Sequence, residues 1–584
     1  MHSGESARVQ RGFALIALLS LAALISAFLI ASALNFTSAG ISNEREERSM
    51  GALRKAKAAL IAYAASEQWQ LYKTPSTYFQ PGALPCPDRD DDGDADCIGP
   101  TSFSMIGRVP FKTLGIDDLR DASGERLWYA LSHDFRKMQC PSANCTTINS
   151  DTLGQLTITG MAPATQVVAV VFAPGAALDL RAVGGPQQDR VAGHNDPTNY
   201  LENFNLGDNI HFTFTSTGLP TDTSNDRLLV ITQADLMAAV EPVVAARVER
   251  DIKPYILAWS DPITGWGAYA FAAPFVASGA GPGRAQTDYK GLAGQANGLM
   301  PVTTASNWLE WQTSSINVTQ IPGGTGTGTS GPPFPSPTID SIDCGASSAS
   351  QISCQIRYSD SGACIDRPAI QLQVVLLNAA NSFPAPLNYK DAVMTDGAGD
   401  PLSFDPNFGN WSPTFPQYNP TTTNVALATG NGQLVFRGRL QNACPPPGGT
   451  GGTVTIRISV PPWLAITNNA DPAAGWFIAN QWYKQVYYAV APALLPGGSG
   501  DCAATPPCLT VTKLPVSYAT SNDKRAILVL TGSALNGNPR PSTSPADYLE
   551  NANLAAALGT TPFVYEHRSG VPTAINDRVV VVSP

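Results

Sequence analysis

The longest uninterrupted apolar run in the chain lies near its start. From Phe13 to Leu34 there is no charge, no proline and nothing more polar than serine. Such a run predicts a helix about 33 Å long at roughly 1.5 Å per residue, matching a bilayer core about 30 Å thick. It is longer than the apolar core of a cleavable secretory signal, about 7–15 residues. Arg8 and Arg11 precede it and the acidic NEREER stretch, Asn43–Arg48, follows. That asymmetry predicts a cytoplasmic leader, with everything beyond Asn35 exported. The expected location is the inner membrane, crossed once, with a periplasmic head. No proline interrupts the chain between Phe13 and Pro75, and Leu53, Ala56, Leu60, Ala64 and Trp69 recur every three to five residues. This is one apolar face of a helix that continues past the membrane. Gly40 and Gly51 weaken or bend it.

Farther on, the hydrophobic pattern changes from helical to strand-like. QVVAVVFAPGAAL, RAILVLTGSAL, HFTFTST, AIQLQVVLL, QLVFRGRL and TVTIRISV are short alternating or continuous apolar runs. With 51 Gly, 48 Pro and only 14% charged residues in 584, the chain reads as turn-rich β structure in two to four domains. The net charge of −10, with no basic cluster after Lys57, argues against a nucleic-acid partner.

Several of these runs occur twice. YLENFNL (Tyr200–Leu206) recurs as YLENANL (Tyr548–Leu554), and NDRLLVI (Asn225–Ile231) recurs as NDRVVVV (Asn576–Val582). LWYAL at Leu127 pairs with VYYAV at Val486, each followed by a cysteine pair and an apolar strand. More faintly, GRVP at Gly107 matches GLMP at Gly298, and the helix GALRKAKAALIAYAA matches AARVERDIKPYILAW. The order is the same throughout, which indicates an internal duplication. The second copy is interrupted by a Gly/Pro-rich linker, GGTGTGTSGPPFPSP, and β-rich runs. The expected organisation is a leader (1–12), a long helix (13–68), a first head copy (69–233), the start of a second (234–314), a linker (315–339), an inserted β-sandwich-like domain (340–460) and the rest of the second copy (461–584). The predicted fold class is α+β: a long membrane-spanning N-terminal helix, then a duplicated helix-plus-antiparallel-sheet head carrying an inserted β domain.

The junction Arg11-Gly12-Phe13, with phenylalanine opening the apolar run, resembles the prepilin peptidase site of type IV pilins and pseudopilins. The resemblance covers roughly residues 6–66 and implies cleavage between Gly12 and Phe13 with N-methylation of Phe13. It departs from the family at the fifth mature position, where Ala17 stands in place of the usual glutamate. That absence is familiar in tip pseudopilins. The implied function is a minor pilin or tip-type pseudopilin, a structural and assembly subunit of a type IV pilus-like or type II secretion fibre. The implied partners are the inner membrane, prepilin peptidase and other pilin or pseudopilin subunits. An alternative is a tip adhesin or binding protein exposing a surface-ligand site on the insert. An anchored enzyme is disfavoured, because no GxSxG, HExxH or phosphate-loop motif is present.

Ten cysteines in an exported chain point to disulfides. Three close pairs suggest themselves: Cys86 with Cys97, Cys140 with Cys145, and Cys502 with Cys508. Cys344, Cys354, Cys364 and Cys444 leave three connectivities open. Scarce histidines and the lack of a two-residue gap within the pairs argue against zinc.

The segment richest in chemistry is PCPDRDDDGDADC, Pro85–Cys97. Asp88, Asp90, Asp92, Asp94 and Asp96 alternate, with Gly93 where the first half of an EF-hand loop has its glycine. Such a loop is expected to wrap calcium, although Gly99 stands where the bidentate glutamate belongs. A solvated acidic turn is the competing reading.

Overall fold

The computed structural model describes residues 6–66, 80–96, 105–136, 147–183, 185, 187–202, 204–205, 211–218, 220–261, 268–275, 289, 291–292, 294–302, 311–320, 338–348, 351–359, 370–378, 392–395, 426–429, 433–440, 451–459, 474–495, 500–502, 507–514, 521–568 and 575–584. It is mixed α and β with several sheets, and it divides into two units. One comprises residues 1–66, 82–138 and 153–236; the other comprises 67–81, 139–152 and 237–584.

In the first unit, helix α1 runs Ser6–Ala65. Among the described residues, no helix is long and apolar enough to cross a membrane. This corrects two expectations, the membrane-spanning helix in the fold class and the single-pass inner-membrane location.

The C-terminal part of α1 is placed by its apolar face. Leu53, Ala56 and Leu60 are fully buried and Ala64 nearly so, and the helix packs on strands β4 and β7 of a seven-stranded sheet. The strands of this sheet are β1 (Ile106–Arg108), β2 (Trp128–Leu131), β3 (Leu156–Gly160), β4 (Ala164–Ala173), β5 (Phe204–Asn205), β6 (Thr213–Ser216) and β7 (Arg227–Thr232). Antiparallel pairing links β1-β2-β4-β7, and β3 pairs with the N-terminal end of β4 on the side away from β7, with β6 and β5 beyond it. Lys57 Nζ fastens helix to sheet, donating to Asp235 Oδ2 at 2.8 Å and to the Val230 carbonyl at 2.9 Å. Trp128, Phe172, Tyr200, Phe212 and Phe214 fill the core.

The second unit contains β8 (Asn297–Leu299), β9 (Trp311–Gln320), β10 (Thr338–Ser348), β11 (Gln351–Ser359), β12 (Ile370–Asn378), β13 (Ala392–Thr395), β14 (Ala426–Thr429), β15 (Gln433–Leu440), β16 (Gly451–Ser459), β17 (Val486–Val490), β18 (Leu509–Thr512), β19 (Ser521–Lys524), β20 (Ala526–Leu530), β21 (Val564–Glu566) and β22 (Arg578–Ser583). Its antiparallel sheet β8-β17-β20-β22 has the same order as β1-β2-β4-β7. The register agrees residue by residue. Gly107, Tyr129, Val171 and Leu229 lie in one row across the first sheet. Gly298, Tyr488, Leu528 and Val580, their counterparts in the repeated motifs, lie in one row across the second.

The counterpart of the seated part of α1 is broken into two helices, Gln233–Arg247 and Lys253–Ser260, joined by a π-helical turn, Val248–Ile252. Pro254 lacks the N–H that would continue the i→i−4 ladder, so the helix widens there. This turn and the helix after it pack on β22, as α1 packs on β7.

The inserted strands form two four-stranded antiparallel sheets, β10-β11-β16-β13 and β14-β15-β12-β9. Strand β9 pairs with β12 along its whole length, so the inserted structure begins at Trp311, ahead of the Gly/Pro-rich run rather than after it. Alternation within one strand marks a strand, but its partner is set by distant residues.

Candidate metal centre

The acidic loop lies beside β1. Asp88 exchanges two backbone hydrogen bonds with Arg108, 3.0 and 2.6 Å long, which fixes the entry to the loop. Gly107 makes this approach possible: a Cβ there would lie 2.4 Å from the Asp88 carbonyl oxygen. The exit is fixed by Lys112, whose N–H donates to the Gly93 carbonyl at 2.9 Å. Gly93 itself has φ +92° with the Phe111 ring against it, a position only glycine fills without strain.

Within the loop the aspartates divide their work. Asp88 is buried, and its two carboxylate oxygens accept the N–H groups of Asp91 and Gly93, both at 2.8 Å. Burial pushes its carboxyl above the ordinary range; the two N–H donors oppose that shift, and the nearby Asp91 and Asp92 add to it. Asp96 accepts the Arg89 N–H at 2.7 Å. Asp88, Asp90 and Asp96 each offer an oxygen, and these atoms lie within 4.8 Å of one another. Two oxygens about 2.3–2.6 Å from one calcium can be no more than about 5 Å apart, so the three fit a shared hard cation. Three carboxylates suit magnesium or manganese as well as calcium.

Asp92 and Asp94 do not join that group. Asp92 accepts the Asp94 N–H at 2.7 Å, and Asp94 faces the Thr113 hydroxyl at 3.5 Å. Alternation brings three of the five predicted ligands together rather than all five. Asp91, outside the alternating set, pairs with Arg108 at 2.8 Å and Arg126 at 2.6 Å. Those arginines supply positive charge beside the loop, and sequence spacing gave no sign of them.

Among the described residues the loop has no acidic counterpart in the second copy. There Ala273 takes the place of Asp88, bridged to Leu299 as Asp88 is to Arg108.

Of the predicted disulfides, Cys502–Cys508 is formed. Cys86 and Cys354 are each disulfide-bonded. Cys97, Cys140, Cys145, Cys364 and Cys444 lie outside the described residues. Cys344 stands opposite Cys354 in the β10–β11 register. Gly12 and Phe13 fall within α1, with side chains outside the described residues.

Sequence reasoning also missed what YLEN and NDR do. In each copy backbone N–H groups tie the Glu of the first to the Asp of the second. The available signal was that both carboxyls recur unchanged when neighbouring positions drift.

Comparison with protein-family models, with characterised proteins and with solved structures finds no match.

Proposed function

We propose that this chain is a structural and assembly subunit of a pilin-like fibre, of the minor or tip kind, whose acidic loop holds a divalent cation as a structural brace. The observation that carries the reading is the division of labour along α1. Its C-terminal part is seated on an antiparallel sheet, while Leu19, Leu24, Phe28 and Ile30 farther up remain 60–72% exposed. A helix that exposes this much apolar surface is stabilised when covered by other apolar surface, and like helices in a fibre core supply it. The cation reading rests on Asp88, Asp90 and Asp96 and requires no catalysis.

A second reading, a binding protein presenting the insert, is favoured by one feature. The insert leaves and re-enters between β8 and β17, which pair directly, so a large module is accommodated without breaking the sheet.

The test is the mass of the N-terminal peptide of the mature protein from cells with and without prepilin peptidase. A chain beginning at N-methylated Phe13 only when the peptidase is present supports a fibre subunit. A leader that stays intact in both refutes it.

A further inference from the structure

The repeated YLEN and NDR motifs build the same buried constellation twice. In the second copy the Glu550 N–H donates to Asp577 Oδ2 at 3.3 Å, and the Asn576 N–H donates to Glu550 Oε2 at 3.3 Å. In the first copy the Glu202 N–H donates to Asp226 Oδ2 at 2.7 Å, and the Asn225 N–H donates to Glu202 Oε2 at 3.1 Å. Each segment thus offers a backbone donor to the other's carboxyl, and this exchange brings two acids together.

The charges around them offset burial only in part: Arg540 favours ionisation of Asp577 and Glu550, and Arg190 that of Asp226, but burial outweighs both. Arg540 lies over the Tyr548 ring, and its nitrogens are committed to Asp151, the Thr531 hydroxyl and the Gly532 carbonyl. Arg190 lies over the Tyr200 ring and is committed to the carbonyls of Asn199 and Gly175, to Gln188 and to Glu125. Also around the second pair are Glu241, which opposes ionisation of Glu550, and Arg568, whose N–H donates to the Asp577 carbonyl. Tyr487 senses the Asp577 charge. Arg578, the next residue, and His567 complete the titratable neighbours.

The same carboxyl oxygen is left over in both copies. Oδ1 of Asp577 and Oδ1 of Asp226 are buried with no hydrogen-bond partner, and Asp577 is fully buried. A buried carboxylate oxygen with no donor is costly. A proton lets one carboxyl donate to the other.

We propose that in each copy the Glu of YLEN and the Asp of NDR share one proton, and that this proton latches the YLEN turn to the last strand of its sheet. Losing it leaves two anions side by side, one of them buried and the other half-buried, so the latch loosens as pH rises. Burial, aided by the neighbouring acid, holds Asp226 and Asp577 well above the usual carboxylate range, and burial raises Glu550 to about 7.

Hydrogen exchange on the full chain tests this, read on peptides covering 548–554 and 576–583, with 200–206 and 225–232 as the matching set. Corrected for intrinsic exchange, opening is expected to increase up to tenfold per pH unit between about 5 and about 7 in the first copy, and less steeply below about 6.5 in the second, where His567, bonded to Val579, opposes it. Glu550→Gln keeps an acceptor and removes a charge. It is expected to weaken the pH dependence in the second copy, where the buried Asp577 still titrates, and to leave it unchanged in the first. Opening that does not vary with pH in the unaltered chain, or a Glu550→Gln profile parallel to it, overturns the proposal. If Glu550→Gln also strips protection from the first copy, the variant is misfolded and the unaltered chain's profile decides by itself.

Discussion

Replacing Gly107 and Gly298 by alanine, separately, tests the duplicated scaffold and the acidic loop together. The two glycines occupy the same place in the two sheets and make the same close approach. A Cβ at 107 would lie 2.4 Å from the Asp88 carbonyl oxygen, and one at 298 would lie 2.3 Å from that of Ala273. Real Cβ contacts are essentially never under 3.0 Å, so the facing strand must retreat by about 0.6 Å or more in either copy. That retreat stretches a pair of backbone hydrogen bonds, Asp88 with Arg108 in one copy and Ala273 with Leu299 in the other. Each bond contributes about 1 kcal/mol, and overpacking of this kind costs about 1–3 kcal/mol. A loss of about 2 kcal/mol is expected from each substitution. The cation separates them. In the first copy the retreating strand carries Asp88, one of the three clustered ligands, and ligand distances tolerate only about 0.2 Å. Titration calorimetry with calcium and with manganese is expected to show at least about tenfold weaker binding for Gly107→Ala, about 1.4 kcal/mol, and unchanged binding for Gly298→Ala. Equal destabilisation with unaltered binding in Gly107→Ala would refute the placement of the site on this strand. Stability unchanged in both would refute the close approach itself.

Further outcomes are expected. Leu60→Ala, at a fully buried position on the seated face of α1, is expected to cost about 2–5 kcal/mol in denaturant unfolding, against less than about 0.5 kcal/mol for the exposed Arg54→Ala. Cys502→Ser opens a loop with a sequence separation of 6. Chain entropy sets the loss at about 2 kcal/mol, and reductant should lower the unaltered protein's stability by the same amount. Arg540→Ala removes a nearly buried guanidinium from Asp151, with an expected loss of about 3–5 kcal/mol; Arg540→Lys should recover only part of it, because the lysine cannot reach both Asp151 and the Gly532 carbonyl. His567 is held below the usual imidazole range, chiefly by burial and further by Arg578 and Arg568. Its neutral form belongs to the fold, so stability is lost as pH falls below about 6.5, where the unfolded chain takes up a proton that the folded one resists. His567→Gln should flatten that acid limb of a thermal-unfolding series.

Much of the architecture was legible because it is written twice. Tyr129 and Tyr488, or Leu229 and Val580, sit in local motifs strong enough to align by eye, and sheet register converts that alignment into matching rows. What the sequence concealed is non-local. That Trp311–Gln320 pairs with Ile370–Asn378 depends on a partner some fifty residues away. The length of the apolar run at the N-terminus led to a membrane-crossing expectation that the described helices do not meet. In the acidic loop, alternation indicated five ligands. The chain instead spends Asp92 and Asp94 on its own turns and Asp91 on two arginines from outside the loop.

The two copies also show which features belong to the scaffold and which to a site. Elements required to close the sheet recur in both: the glycine at the close approach, the arginine over the YLEN tyrosine, and the paired carboxyls. Gly175 and Gly532 recur too, each with positive φ and packed against the asparagine of NDR. The aspartate cluster does not recur, since Ala273 fills the place of Asp88 with the backbone bridge intact. A scaffold that closes with alanine at that position has no structural need for six acids in nine residues. Their mutual repulsion is therefore a cost carried by the first copy alone, and a bound cation is what would offset it. Removing the cation with a chelator is then expected to lower the unfolding temperature of the first unit and leave that of the second unchanged. A chelator that shifts both units equally, or neither, would remove the reason for assigning the cluster to a ligand.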